Sequence, residues 1–178
     1  MIEHLTRGIV FSKEPLEDGN CRYAIFTEEL GKIYVETVNS RKITSKLAAH
    51  LEPASFSRLR IVPKKSGNGF KLVDALLEAK RKEKEVIRLL NFLDEITPVL
   101  QPDPALFSFL ESVIELKKPV QGWERRVLKI AGFDPEDADC GICARKQIVY
   151  FSGQDIMFLC RACQEKIAYP PEKLITLS

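Results

Sequence analysis

The apolar and polar positions along this chain of 178 residues change period once, near residue 74. Before that point apolar residues recur every second position, as in half-buried strands. Arg7 to Lys13 carries Ile9-Val10-Phe11, and Cys21 to Thr27 carries Tyr23, Ile25 and Phe26. Lys32 to Asn39 sets Ile33, Val35 and Thr37 against Tyr34, Glu36 and Val38. Ser55 to Pro63 sets Leu59 and Ile61 against Arg58 and Arg60, and Phe70 to Val73 reads as a short fifth strand. Glu17-Asp18-Gly19-Asn20, Gly31 and Gly67-Asn68-Gly69 supply turns between them. Five short strands with mostly hairpin-length links fit a small barrel better than an open sheet. The longer connection, Arg41 to Ala54, is compatible with a helix.

After residue 74 the period is helical. Val86, Leu89, Leu90, Leu93 and Ile96 form one amphipathic stripe, with Lys80 to Glu85 as its solvated opening. Asp103-Pro104 reads as an N-cap with proline at the first helical position, ahead of Leu106, Leu110, Val113 and Ile114. Trp123, Val127, Ile130 and Ala131 make a third stripe, and Gly132 closes it. All three stripes read as core. The expected organisation is α+β: a barrel over residues 1–75, a helical domain over 76–138, and a cysteine-bearing hairpin with a tail over 139–178.

The net charge of +2 conceals an uneven distribution. Residues 39–71 hold Arg41, Lys42, Lys46, Arg58, Arg60, Lys64, Lys65 and Lys71 against the single acid Glu52, a net +7. Such a block fits a polyanionic partner, with a solvated face as the plain alternative. The first residues, Met-Ile-Glu-His-Leu-Thr-Arg, have no apolar region behind a basic start, so no signal peptide is expected. No apolar run approaches the roughly 18 residues that cross a bilayer. The expected compartment is the cytoplasm, where paired cysteines more often hold metal than form disulfides.

The sharpest chemical signal is Cys140-Gly-Ile-Cys143 followed, after sixteen residues, by Cys160-Arg-Ala-Cys163. Two such turns brought together by a hairpin complete a tetrahedron around zinc. Ile148 to Phe151, Ser152 to Gln154 and Ile156 to Leu159 read as strand, turn and strand between them, a zinc-ribbon pattern. Four thiolates around Zn²⁺ carry a formal charge of −2, which Arg145, Lys146 and Arg161 would offset while donating to sulfur. Iron in the same cage is an alternative, whereas a redox pair accounts poorly for two matched motifs. Four protein ligands leave no open position for water, so the site reads as structural. The lone Cys21 reads as an ordinary thiol. With two histidines, His4 and His50, and neither a phosphate-binding loop nor a nucleophile triad, an enzyme is poorly supported.

The order of these parts resembles the RecO family of recombination mediators. The resemblance rests on Phe26-Thr27-Glu28-Glu29-Leu30-Gly31-Lys32-Ile33, on the basic stretches Ser40-Arg41-Lys42 and Ser45-Lys46-Leu47, and on the run from Trp123 to Pro135 leading into Cys140. It implies an N-terminal OB-fold, whose middle strands a helical connection at 41–54 would suit, and a helical domain with a four-cysteine zinc site. It further implies binding of single- and double-stranded DNA, annealing, and recombinase loading with a RecR-like partner and single-stranded DNA-binding protein. Family members run on for several helices after the second cysteine pair, and only fifteen residues follow Cys163, so contacts with single-stranded DNA-binding protein are the least expected here. The candidate nucleic-acid contacts are Arg41, Lys42, Lys46, Arg58, Arg60, Lys64 and Lys65; Tyr34 or Phe56 could stack on a base, with core packing the favoured reading for either aromatic. A protein-interaction adaptor and an RNA-binding barrel-plus-ribbon protein are the competing readings.

Overall fold

The computed structural model describes residues 3–17, 19–37, 47, 49–65, 69–118, 120 and 122–177. Two compact units divide it, Met1–Pro119 and Val120–Ser178.

The first unit begins with β1 (His4–Pro15), β2 (Cys21–Thr27), β3 (Gly31–Glu36), β4 (Ser55–Pro63) and β5 (Phe70–Lys80). They close a barrel in the order β1-β2-β3-β5-β4. β1 serves two neighbours: its first half pairs antiparallel with β4 and its second half with β2. The seam between β3 and β5 is short and parallel, at Val35↔Phe70 and Glu36↔Lys71. A bend in β1 allows the double pairing. It has a register shift between Val10 and Ser12, and Gly8 just before it is tightly packed. A Cβ on Gly8 would stand 2.7 Å from Ile25 Cγ2 and 3.0 Å from Leu59 Cδ1.

The interior is filled from all five strands by Val10, Tyr23, Ile25, Ile33, Val35, Leu59, Ile61 and Ala75. Strands of a small barrel with a wet exterior would alternate, yet Ile9, Val10 and Phe11 are all buried. The outer faces of β1, β2 and β4 carry a second apolar layer. Phe11 stacks on Phe26 at 5.6 Å, and Phe26 and Phe56 lie 6.4 Å and 6.2 Å from Phe107. Phe107 belongs to α2 (Pro104–Ile114), and α1 (Lys84–Ile96) completes the cover. Asp103 accepts from the Leu106 N–H at 3.0 Å ahead of Pro104, as its position in the sequence predicts.

β5 departs from expectation. The strand expected to stop at Val73 continues to Lys80, and α1 starts only at Lys84. The segment Ala75-Leu-Leu-Glu-Ala-Lys80 is made of good helix formers, so its local bias is helical. Pairing with β4 from Ser55↔Lys80 to Pro63↔Phe70 overrides that bias. Of the expected helix opening at Lys80 to Glu85, only Lys84 and Glu85 fall within α1, with Glu83 at its N-cap, while Lys80 ends β5. Arg81 instead donates to the Val113 and Lys118 carbonyls, both at 2.8 Å.

The turn between β2 and β3 is held from both sides. The Thr27 hydroxyl donates to the Gly31 carbonyl at 2.9 Å and accepts from the Leu30 N–H. Gly31 has φ +68°, and a Cβ there would fall 2.1 Å from the Gln101 carbonyl oxygen. Lys32 is buried, its Nζ donating to the Asp94 carbonyl at 2.5 Å and lying 3.5 Å from the Asp94 carboxylate. Of the expected helix at 41–54, residues 41–46 and 48 lie outside the described residues and 49–54 form turns and bends; of the turn Gly67-Asn68-Gly69, only Gly69 is described.

The second unit holds α3 (Trp123–Ile130), β6 (Tyr150–Ser152), β7 (Met157–Leu159), α4 (Arg161–Lys166), a 3₁₀ turn at Pro171–Lys173, and β8 (Leu174–Thr176). β6 lies between β7 and β8, antiparallel to both. Phe151 at its centre meets Phe158 edge-on at 4.9 Å and Phe133 at 5.4 Å. The third strand was not expected, because Leu174-Ile-Thr176 is too short to show a period and follows two prolines. Among the described residues no helix is long and apolar enough to cross a membrane.

Candidate metal centre and basic strand

Cys140 and Cys143 lie in the loop before β6, and Cys160 and Cys163 at the end of β7 and in α4. Each pair is shaped by backbone hydrogen bonds. The Ala144 N–H donates to the Cys140 carbonyl at 2.8 Å and the Cys140 N–H to the Arg145 carbonyl at 2.9 Å. The Gly141 N–H ties the first turn to β7 through the Phe158 carbonyl at 2.9 Å, and the Gln164 N–H caps back to the Cys160 carbonyl at 3.1 Å. All four Sγ atoms consequently lie within 4.8 Å of one another, with Cys143 Sγ 3.7 Å from Cys160 Sγ. A regular tetrahedron with metal–sulfur bonds of 2.3 Å has edges of about 3.8 Å, so the donor set fits a tetrahedral thiolate ion. The four cysteines are positioned to bind a metal ion.

The surroundings are uneven. Cys140, Cys160 and Cys163 are buried and Cys143 is exposed. Burial pushes the Cys140 thiol up, but N–H donors of Cys160, Ile142 and Cys143 outweigh it and bring it down to about 6. Hydrogen bonding to Cys143 and burial push Cys163 up to about 12. A bound cation would hold all four as thiolates. Arg145, Lys146 and Arg161 are exposed. Arg145 and Arg161 line a groove of about 310 Å³ beside Cys160, so they oppose the thiolate charge from the solvent side.

The candidate nucleic-acid residues divide into those the structure brings together and those outside it. Arg58 and Arg60 point out from the same face of β4 with half-exposed side chains, as the alternation predicts. Across the ladders Arg58 is flanked by Arg7 and Leu76, and Arg60 by Leu5 and Asp74. Lys64 and Lys65 follow β4, Lys65 exposed. Arg41, Lys42 and Lys46 lie outside the described residues. The net +7 counted along the sequence does not survive intact in space. Arg58 pairs with Glu78 at 2.7 Å, Arg60 with Glu3 at 3.2 Å, and Lys64 with Glu36. The Lys64 hydrogen bond, reinforced by the charges of Lys64 and Arg22, holds the Glu36 carboxyl below its usual range.

Of the two aromatic candidates, Phe56 is a core residue. It is fully buried, with the Arg7 guanidinium 5.6 Å over its ring, and cannot reach a base. Tyr34 is 39% exposed on β3. Arg7 is the cation that the charge count missed, since it sits far upstream of the basic block. It binds Glu28 through two nitrogens and Glu111 through a third, which raises its pKa further above the ordinary arginine value.

No family model matches the chain. Curated relatives do. The DNA repair protein RecO of Prosthecochloris aestuarii is 29% identical over 153 residues, covering 77% of this chain and 58% of its own length. RecO of Thermodesulfovibrio yellowstonii is 24% identical over 190 residues, 97% of this chain and 75% of its own. RecO of Bacillus subtilis is 27% identical over 177 residues, 91% of this chain and 69% of its own. Eight such relatives match, and the named ones are all RecO. The chain is similar to DNA repair protein RecO over most of its length. The RecO-like stretch Thr27-Glu28-Glu29-Leu30-Gly31-Lys32-Ile33 is the turn that Gly31 and Lys32 anchor against Gln101 and Asp94. Its role in this chain is architectural: it joins the barrel to the helices covering it.

Proposed function

We propose that the protein is a non-catalytic mediator of recombinational DNA repair. It binds single- and double-stranded DNA, promotes annealing of complementary strands and assists recombinase loading. The similarity to DNA repair protein RecO, over most of this chain, carries the reading. The closed barrel supports it: the strand order β1-β2-β3-β5-β4 suits an OB-fold, a common carrier of single strands. The metal centre then takes structural Zn²⁺ at Cys140, Cys143, Cys160 and Cys163, making the second unit a zinc ribbon. The partners are DNA and a RecR-like protein, with single-stranded DNA-binding protein the least supported, and the location is the cytoplasm at the nucleoid.

Annealing requires no bond chemistry. It requires that phosphate repulsion be neutralised while the bases stay free to pair. Arg58, Arg60, Lys64 and Lys65, with Arg41, Lys42 and Lys46 from the adjoining connection, would supply the charge, and Tyr34 a stacking surface. The test is annealing and binding of labelled complementary strands across a salt series. Binding should be tightest at about 50 mM salt and fall steeply above it. No binding at that salt, or an R58E/R60E variant that binds as well as the unaltered protein, sinks the proposal.

A second reading has one observation in its favour. Leu5 and Leu76 are 65% and 59% exposed beside the paired arginines, as on a protein-docking surface. Binding of a protein partner with little salt dependence would favour this adaptor role.

A further inference from the structure

The acids that meet the basic strand come from outside the basic block, and the fold carries one of them there by a specific device. Along β4 and β5 the register jumps between Phe56↔Ala79 and Ser57↔Leu77. Glu78 is the residue skipped, the extra member of a β-bulge. Bulges re-aim side chains, and this one sets the Glu78 carboxylate 2.7 Å from Arg58. The two further pairs, Arg60 with Glu3 and Lys64 with Glu36, use the residue just before β1 and the last residue of β3. Arg58 and Arg60 keep 55% and 48% of their side-chain surface, so they are accessible but already neutralised.

We propose that Glu78, Glu3 and Glu36 are resident counter-ions of the basic strand, and that a nucleic-acid phosphate binds there by displacing them. The proposal rests on the DNA-binding reading above and adds what sets its strength. An exposed ion pair is weak and exchangeable, so a phosphodiester competes readily with the two arginine pairs, and less readily with Lys64–Glu36, whose side chains are 19% and 23% exposed. Each exchange returns a carboxylate to solvent as it takes up a phosphate. The face therefore gains less from binding than a count of the bases in residues 39–71 implies, and stays quiet toward weaker anions. Glu78 has the plainer alternative role of screening Arg58 from Arg7, which stands directly opposite in the ladder. In that role its removal would leave binding unchanged.

The experiment compares the full chain with E78Q, R58A, E78Q/R58A and E95Q. Glu95 is exposed on α1, away from β4, and controls for net charge. The probe is a labelled oligothymidylate, titrated across a salt series. E78Q should bind roughly two- to five-fold tighter at low salt, the equivalent of one exposed pair. Its salt slope should change by less than about 0.7, because Arg58 meets the same phosphate in both proteins. The gain should vanish in E78Q/R58A and be absent from E95Q. Measurable binding by the unaltered protein with no gain in E78Q, or an equal gain in E95Q, overturns the counter-ion role and leaves the DNA-binding reading standing. Absence of binding by the unaltered protein and by E78Q alike overturns both. Matching circular dichroism spectra establish that each variant is folded.

Discussion

Gly31→Ala isolates the contact between the barrel and its helical cover. At φ +68° an alanine incurs the left-handed penalty, roughly 1–2 kcal/mol. A second cost arises because the new Cβ would stand 2.1 Å from the Gln101 carbonyl oxygen, a backbone atom that cannot swing aside. The segment Leu100–Pro102 must withdraw, and the hydrogen bond from the Leu100 N–H to the Lys32 carbonyl, 2.8 Å long, goes with it. Losing that bond costs about 0.5–1.5 kcal/mol, giving a total of about 1.5–3.5 kcal/mol. Gly19→Ala is the matched comparison. Gly19 has φ +79° in the same unit, with nothing within 4 Å of the added Cβ, so it suffers the backbone penalty alone. The assay is urea unfolding followed by circular dichroism. With a slope of about 1–2 kcal/mol/M, the Gly31→Ala midpoint should lie roughly 0.5–1 M below that of Gly19→Ala. Equal midpoints would refute the claim that the turn is fixed by a close approach rather than by its backbone angle alone.

Two further outcomes follow from the sites. Chelation, or Cys140→Ser, should unfold Val120–Ser178 while leaving the barrel spectrum intact; elemental analysis should find one metal ion per chain, and a metal-free protein with a folded second unit would exclude the structural role. Glu36 has a depressed folded-state pKa, so its contribution is fully present above the unfolded carboxylate value of about 4.3 and is lost as pH falls through the depressed value; Glu36→Gln should flatten that part of the acid unfolding curve, and an unchanged curve would show that the Lys64 pair adds nothing to stability.

What could be seen in the sequence depended on how far each interaction reaches along the chain. The cysteine spacing and the Asp103-Pro104 cap are local, and both appear as expected. Period-two patterning located all five barrel strands. It failed where Ala75 to Lys80 carries helix-forming residues, because the determining contact is with β4, up to twenty-five residues away in sequence. It also failed to show that Phe56 is covered on its outer side, since Phe107 supplies that cover from a distant helix. The charge block was visible and its neutralisation was not. Glu3, Glu36 and Glu78 lie outside it in sequence and reach it only through strand pairing and a bulge. The turn motif marks the family, yet its physical reason became visible only with Gln101 and Asp94 in place.

The strand character of Ala75 to Lys80 also bears on how the chain is made. Synthesis delivers β1 to β4 first, and although β4 can then pair with β1, the barrel cannot close until β5 has left the ribosome. The last piece needed then emerges with a helical bias. While it remains a helix, the emerging chain exposes the free edges of β3 and β4 to neighbouring chains. A helix-strengthening substitution at the surface of β5 would lengthen that interval, and its harm would appear as lost yield during expression before any loss of stability in the finished protein.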